Sequence, residues 1–274
     1  MAKEANWTED EDNELKKYYP LYSKAEICAL FPTRTWNGIK QHAYGKLGLV
    51  KLVTGRIKNG DVSTLLNETP EAYYWMGFLL ADGSFDKDGR VSLSISEKDK
   101  EHLENFGSFI NTTKLQKTNY ITNYSNNSVC YKISCYSSHY GPKIREKFDL
   151  KLNKTENPPD LNTIISNTTP NNAMALILGF IDGDGYISTN KGVIKIEVHS
   201  SWITNLKIIE TFIYSYFNET SPNSSKINVR GFSTFSITRN SILQKLKLIS
   251  STLPCMDRKW NRITNTKIKK LQKN

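Results

Sequence analysis

The chain has 274 residues, 38% of them hydrophobic and 11% aromatic, which is enough for a substantial core and excludes a disordered protein. Its 37 Lys and Arg residues outnumber 27 Asp and Glu residues, and the net charge of +10 indicates a polyanionic partner. Residues 1–50 carry seven bases and seven acids, so the whole excess lies after residue 50.

The cysteines and the apolar runs exclude further classes of protein. Four cysteines are too few for a disulfide scaffold, and none has the spacing of zinc ligands. The longest apolar runs, Ala72–Ala81 and Ala173–Ile181, are about half of what spans a bilayer. The polar, acidic first thirty residues are unlike a secretion signal. We expect a reduced, intracellular protein, and its composition is compatible with a viral, organellar or low-GC host.

The first fifty residues predict three short helices. Thr8 is a favourable N-cap, Glu11 stands where a capping box places its acid, and Pro20 ends the first helix. A second helix is predicted over residues 23–30 and a third over residues 35–47. Three short helices with a tight second turn are typical of a helix-turn-helix unit.

The sequence of this unit resembles Myb-like DNA-binding repeats. The resemblance covers residues 6–49 and is carried by W-T-x-x-E-D (7–12), S-K-A-E-I-C-A-L-F (23–31) and R-T-W-N-G-I-K-Q-H-A (34–43). It implies that the third helix enters the major groove of DNA, where glutamine reads adenine and lysine holds phosphate or guanine. The candidate contacts are Arg34, Asn37, Lys40, Gln41 and Tyr44. The alternative is a helical module that binds proteins, as the SANT relatives of Myb do.

Two later segments repeat one another. Residues 69–83 and 169–185 each begin with Thr-Pro, continue as an apolar run and end at Asp-Gly, with Asp82 and Asp184 in matching positions. Alternating patterns at 91–96 and 194–199 then predict half-buried strands. Each half is predicted as helix, two strands, helix, two strands, helix. We therefore divide the chain into residues 1–50, a linker over 51–66, a first half over 67–162, and a second half over 163–274 with a basic tail.

The strand alternation predicts one polar face on each antiparallel sheet. Side chains on these faces are the candidates for contact with DNA in the two halves. They are Ser92, Ser94, Ser96, Lys132, Ser134, Lys195, Glu197, His199, Lys226, Asn228 and Arg230.

The two apolar segments have small residues at four-residue spacing. Gly77 and Ala81 match Gly179 and Gly183, so each helix is able to pack closely against its copy. The alternative for each segment alone is a core helix with a glycine C-cap. If the helices pair, two carboxylates and several unsatisfied carbonyls meet, which is costly without a divalent cation. Oxygen ligands favour Mg²⁺, Mn²⁺ or Ca²⁺, and such an ion suits the hydrolysis of a phosphodiester.

The segments W-M-G-F-L-L-A-D-G (75–83) and I-L-G-F-I-D-G-D-G (177–185) resemble the two signature helices of the LAGLIDADG homing endonucleases. The resemblance covers roughly residues 66–262. It implies an α+β fold in which a pseudo-two-fold pair of αββαββα units forms a DNA saddle from two antiparallel sheets. It further implies Mg²⁺, or Mn²⁺ in its place, on Asp82 and Asp184 with the carbonyls of Ala81 and Gly183. Family members cut both strands across the minor groove and leave short 3′ overhangs.

The first motif departs from the family pattern. Leu80 replaces an acid that Asp182 retains in the second motif, and Trp75 and Met76 are bulkier than usual. These residues raise the alternative of altered packing or a partly degenerate enzyme.

The resemblance also implies a basic catalytic residue near each active site. The candidates are Lys154 for the first half and Lys259 for the second, and the alternative for each is a surface lysine or a contact to the DNA backbone. We expect a monomeric, site-specific DNA endonuclease of a mobile genetic element, acting on a long non-palindromic site. The alternative is a non-cleaving DNA- or RNA-binding regulator or intron maturase of the same fold.

Overall fold

The computed structural model describes residues 6–19, 24–49, 59–122, 125–188 and 192–263. Its first part contains α1 (Glu9–Tyr18), α2 (Lys24–Leu30) and α3 (Trp36–Gln41). The predicted third helix is shorter than expected in α-helical form, because the chain continues from His42 to Lys46 as a π-helical turn. Six buried side chains form a small core among these helices: Leu15, Tyr19, Ile27, Phe31, Ile39 and Ala43.

The predicted capping box begins α1. The backbone N–H of Glu11 donates to Thr8 Oγ1 at 3.2 Å, and the backbone N–H of Thr8 donates to Glu11 Oε2 at 2.9 Å. Two of the four unpaired N–H groups at this helix end are thereby satisfied.

The rest of the described chain contains the predicted repeat. The first half has, in order, α4 (Pro70–Asp82), β1 (Gly83–Phe85), β2 (Arg90–Ser96), α5 (Lys100–Phe109), β3 (Gln116–Thr122), β4 (Ser125–Tyr136) and α6 (Tyr140–Lys147). A short helix, α7 (Leu161–Ser166), precedes the second half. The second half has α8 (Pro170–Asp184), β5 (Gly185–Ser188), β6 (Val193–His199), α9 (Ile203–Tyr216), β7 (Lys226–Ile227), β8 (Phe232–Ile237) and α10 (Asn240–Ser250), followed by α11 (Asp257–Trp260).

Each half forms one four-stranded antiparallel sheet, with the strand orders β1-β2-β4-β3 and β5-β6-β8-β7. The registers place Leu93 opposite Ile133 and Ile196 opposite Phe235, on the faces that pack against the helices. The α4 and α8 helices lie in one continuous core shared by both halves. The predicted α+β fold is confirmed.

The end of the second sheet differs from the prediction. We predicted a strand over 226–230, but β7 ends at Ile227 and a tight turn follows. Asn228 Oδ1 accepts from the backbone N–H groups of Arg230 and Phe232, and Gly231 has a φ of +79°. Since the asparagine side chain and the glycine favour a turn, Asn228 and Arg230 lie in a hairpin loop.

The predicted linker over 51–66 is wrong at its end. Residues 62–66 form a 3₁₀ turn whose Val62 and Leu65 are buried in the main core. The backbone N–H of Asp61 donates to the carbonyl of Ile110 at 2.6 Å. The apolar pattern of this turn spans too few residues to be recognised in the sequence. Because the turn is buried in the main core, it belongs to the first half. The rest of the linker, 51–58, and the basic tail, 264–274, lie outside the described residues.

No helix in the described part of the chain has the length and apolar character needed to span a membrane.

Candidate active site

Glycines hold α4 and α8 in backbone contact. A Cβ atom built on Gly77 would lie 1.8 Å from the carbonyl oxygen of Leu176, and one built on Gly179 would lie 1.9 Å from that of Tyr74. Both distances are shorter than any real Cβ contact, so only glycine fits at these positions. The predicted packing of each signature helix against its copy is therefore present.

A second pair of glycines lets each helix turn directly into a strand. A Cβ on Gly83 would lie 2.6 Å from the Leu79 carbonyl oxygen, and one on Gly185 would lie 2.3 Å from that of Ile181. The aspartate before each glycine is consequently the last residue of its helix. Both helix ends, with their unsatisfied carbonyls and negative dipole, lie together.

The carboxylates of Asp82 and Asp184 lie at this junction. Both side chains are exposed, and a Cβ on Gly183 would lie 3.5 Å from Asp82 Oδ2. Among the described residues, neither carboxylate accepts a hydrogen bond or forms an ion pair. Solvent reaches both carboxylates, but the neighbouring helix end withdraws them partly from water, and this desolvation, together with the Asp82 charge, raises the pKa of Asp184 to about 6. Burial also raises the pKa of Asp82.

Lys154 caps the end of α4. It lies in the loop after α6, and its Nζ donates to the carbonyl oxygens of Leu80 at 2.5 Å and Ala81 at 2.6 Å. Burial lowers the pKa of Lys154, while Asp184 and Asp82 oppose that shift. The ammonium group therefore lies beside both acids and neutralises carbonyls that the helix end leaves unpaired.

Lys259 caps the end of α8 in a similar way. Its Nζ donates to the carbonyl oxygens of Gly183 at 3.2 Å and Gly185 at 2.8 Å, and also to that of Asp182. Lys259 is only 9% exposed, and burial lowers its pKa. The structure thus places both predicted lysines at the helix ends.

The site is assembled across the two halves. We predicted Lys259 for the site of the second half, but one groove contains Lys259 together with Asp82 of the first half and Gly183 of the second. Asp99 and Arg258 line the same groove, and neither stands in a sequence motif that points to this site. Because the ends of α4 and α8 lie together, residues of both halves line this groove, and neither half forms it alone.

The donor set fits a hard divalent cation. The carboxylates of Asp82 and Asp184 and the carbonyls of Ala81 and Gly183 supply oxygen ligands only, the type that Mg²⁺ and Ca²⁺ prefer. The described residues contain no cluster of three or more His, Cys, Asp or Glu side chains able to hold a metal. Carbonyls, water or a phosphate are therefore needed to complete the coordination.

The bulky residues of the first motif leave the helix contact intact. Trp75 and Met76 are fully buried beside Gly77, and the Trp75 ring lies 4.9 Å from His102 and 5.2 Å from Phe106 between ring centroids. They enlarge the core of the first half and do not separate the helices.

The polar face of the first sheet adjoins the groove. Ser94 is exposed and Ser96 is partly exposed, and both line the groove, while Lys132 is paired with Ser94 on the neighbouring strand. The prediction that Ser92 is presented to DNA is wrong. Ser92 is 4% exposed, and its hydroxyl is hydrogen-bonded to that of Ser134 at 2.8 Å.

The polar face of the second sheet is organised around Glu197. Its carboxylate pairs with Lys195 at 2.7 Å and with Arg230, and it accepts from Asn228 Nδ2 at 3.3 Å. Two further predicted contacts are exposed: Lys226 and His199. The two sheets therefore present different chemistry, hydroxyl groups on one and charged groups on the other.

Four of the five predicted contacts of the N-terminal unit are exposed: Asn37, Lys40, Gln41 and Tyr44. The prediction that Arg34 is exposed is wrong, since its side chain is 13% exposed. Its Nη2 pairs with Glu11 Oε2 at 2.8 Å, and its guanidinium lies 4.6 Å from the ring centroid of Trp7. Arg34 therefore ties the third helix to the first.

Solved structures with the same architecture are found. The homing endonuclease I-WcaI bound to its DNA recognition sequence matches with a TM-score of 0.53 and 11% identity, over 88% of this chain and 98% of its own. The chain has the LAGLIDADG fold.

Two further structures match less closely. I-DmoI in complex with DNA and Ca matches with a TM-score of 0.46 and 13% identity, over 69% of this chain and 94% of its own. The LAGLIDADG meganuclease I-AabMI bound to uncleaved DNA matches with a TM-score of 0.42 and 15% identity, over 75% of this chain and 91% of its own. No protein-family model and no curated protein matches the chain.

Proposed function

We propose that the protein is a site-specific, divalent-metal-dependent DNA endonuclease that cuts both strands across the minor groove and leaves short 3′ overhangs. The observation that carries this proposal is the pair of unpartnered carboxylates at the touching ends of α4 and α8. A pure DNA-binding protein has no need of two acids placed together beside a polyanion, because they repel it.

The chain's own residues divide the chemistry between them. Asp82 and Asp184 would hold the divalent ion together with the carbonyls of Ala81 and Gly183. When bound, this ion offsets charge on the phosphate and polarises a water molecule. Lys154 and Lys259 hold the helix-end carbonyls and add positive charge beside the scissile phosphates.

The polar sheet faces and the N-terminal unit contribute to DNA binding in this proposal. The sheets contact the duplex on both sides of the active site, and the fold of I-WcaI, a DNA-bound homing endonuclease, supports that arrangement. The Myb-like unit places Asn37, Lys40, Gln41 and Tyr44 in the major groove beyond one end of the saddle. In this proposal, a mobile genetic element encodes the protein.

Cleavage tests the proposal directly. The protein is incubated with a library of DNA duplexes and Mg²⁺, and the cut ends are sequenced. Asp82→Asn and Asp184→Asn should each slow double-strand cleavage by more than about 100-fold, the typical cost of losing one preorganised electrostatic contact, and should largely spare DNA binding.

Glu104→Gln is the matched control, because Glu104 is paired with Lys100 on the surface of α5, outside the site. It should cut like the wild type. Full cutting by Asp82→Asn would contradict the assignment. Binding without cutting by the wild type would favour the alternative, a non-cleaving regulator or maturase.

A further inference from the structure

Lys259 lies in a segment, residues 256–261, that one buried carboxylate anchors on both sides of the lysine. We call it the Lys259 segment. Asp182 is 1% exposed, and its Oδ2 accepts from the backbone N–H of Met256 at 2.8 Å. Its Oδ1 accepts from the indole N–H of Trp260, also at 2.8 Å. These two hydrogen bonds hold the chain at Met256, three residues before Lys259, and at Trp260, one residue after it. They thereby fix the direction of the Lys259 ammonium group.

The buried carboxylate also joins the two signature helices. Asp182 Oδ2 accepts from the hydroxyl of Tyr74 on α4 at 2.7 Å, and that hydroxyl lies 3.1 Å from His102 Nε2. Three donors therefore compensate the cost of burying this acid. One of them, Tyr74, belongs to α4 and not to the Lys259 segment, so it provides an internal control.

A second contact fastens the Lys259 segment to the opposite half. Arg258 donates to both carboxylate oxygens of Asp99, with Nη2 at 2.6 Å from Oδ2. Asp99 lies in the 3₁₀ turn after β2 (Glu97–Asp99). A two-pronged arginine–carboxylate pair sets orientation as well as distance.

Among the described residues, no such charged anchor holds the Lys154 segment, residues 152–157. Leu80 occupies the position of the first motif that Asp182 occupies in the second, and its side chain accepts no hydrogen bond. The turn that matches Asp99 contributes Ser201, whose hydroxyl donates to the carbonyl of Thr155 at 2.6 Å. A neutral hydrogen bond therefore stands where the other half has an ion pair.

We propose that Asp182 is a positioning residue for Lys259 and that it acts on only one of the two strand cuts. It holds the main chain at Met256 and the ring of Trp260, so that Lys259 stays in the groove with Asp82. This inference rests on the proposed endonuclease function. Since small misplacements of a catalytic group reduce rates strongly, loss of the anchor slows the strand that Lys259 serves.

Strand-specific cleavage of the full chain tests the inference. Each strand of the target duplex carries its own label, and the two nicking rates are measured for Asp182→Leu, which installs the residue of the first motif. The variant should slow one strand by at least about 10-fold and leave nicked DNA. The slowed strand should be the one that Lys259→Met no longer cuts, and Lys154→Met should spare that strand and fail on the other.

The matched control is Tyr74→Phe, which removes a bond to the same carboxylate but leaves the bonds from Met256 and Trp260 to Asp182 in place. It should keep the ratio of the two nicking rates at the wild-type value. Asp182→Asn retains one oxygen that accepts from Trp260. Its ratio of the two nicking rates should therefore lie between those of the wild type and Asp182→Leu. If Asp182→Leu does not fold, Asp182→Asn and Trp260→Phe provide the same comparison.

Hydrogen exchange supplies a readout independent of cleavage. In Asp182→Leu the amides of residues 256–261 should exchange faster, while those of residues 152–157 should stay as in the wild type. Equal slowing of both strands, or unchanged exchange at 256–261, would overturn the positioning role. A wild-type protein that cuts neither strand, with exchange still faster in the variant, would overturn the endonuclease function instead.

Discussion

Asp182 and Asp184 stand two positions apart on α8, yet their surroundings are opposite. Asp182 is deeply buried and accepts three hydrogen bonds, whereas Asp184 reaches solvent with no donor among the described residues. A satisfied buried acid stabilises one arrangement of the chain. An unsatisfied acid beside a second one stores electrostatic repulsion that a cation relieves. Of the two aspartates in this motif, Asp182 thus stabilises the structure and Asp184 belongs to the candidate site.

The raised pKa of Asp184, about 6, makes stability depend on pH. Between about pH 4 and 6 the native carboxyl keeps a proton that the unfolded chain releases, so its stabilising contribution is lost as the pH rises through that window. Asp184→Asn has no carboxyl group to titrate at this position. In EDTA, its stability relative to the wild type, expressed as the difference in the free energy of unfolding, should therefore rise from about pH 4 to 6 and then level off. Urea unfolding at several pH values measures it.

Saturating Ca²⁺ is the control for this prediction. The ion binds the charged carboxylate of the wild type, so it should shrink or reverse the difference above about pH 6. A difference that stays constant from about pH 4 to 7 would show that Asp184 titrates at its ordinary value.

At the scale of elements, the contact between α4 and α8 decides how the two halves are joined. Gly179→Ala would drive a methyl group into the backbone of α4, 1.9 Å from the Tyr74 carbonyl oxygen. We expect the free energy of unfolding to fall by about 1–3 kcal/mol or more, as in overpacked cores. Denaturant titration of the full chain measures the change.

Gly45→Ala is the matched control for the helix contact. Among the described residues, no atom beyond the adjoining backbone lies within 4 Å of a Cβ built on Gly45, and its φ is not in the left-handed region. The stability should change by no more than about 0.5 kcal/mol. Equal losses from both substitutions would show that the contact between the signature helices is not special.

At the scale of the whole molecule, the internal pairing of α4 with α8 uses the surface through which a second copy would pair. The two sheet faces also differ, with serines in one and a charged cluster around Glu197 in the other. We therefore predict one protein molecule on a long, non-palindromic duplex. Light scattering of the protein–DNA complex and mapping of the cut site test this, and a two-to-one complex on a palindrome would contradict it.

The N-terminal unit has a core of its own, separate from the main core. Removing residues 1–50 should therefore leave a folded protein that still binds and cuts DNA, with a footprint shortened at one end. For every phosphate that the truncated protein no longer touches, the slope of log K against log salt should fall by about 0.9. An unchanged footprint and salt slope would show that this unit does not bind DNA.

The sequence by itself determined the repeat, the order of helices and strands, and the placement of two aspartates at helix ends. These features are local: N-caps at Thr69 and Thr169, alternation along β2 and β6, and glycines after Asp82 and Asp184 each act within a few residues. Their duplication indicated that the two signature helices pack on each other.

Only the tertiary structure decided which residues share the groove and which are covered. Ser92 follows the strand pattern but is buried and hydrogen-bonded to Ser134 on β4, and Arg34 is paired with Glu11, 23 residues earlier in the chain. Lys259 lies beside Asp82 because it caps the end of α8, and the end of α8 packs against the end of α4. Such contacts depend on how elements pack in space, and no local spacing encodes them. Asp182 shows the same limit, since its three donors come from distant parts of the chain that only the assembled core brings together.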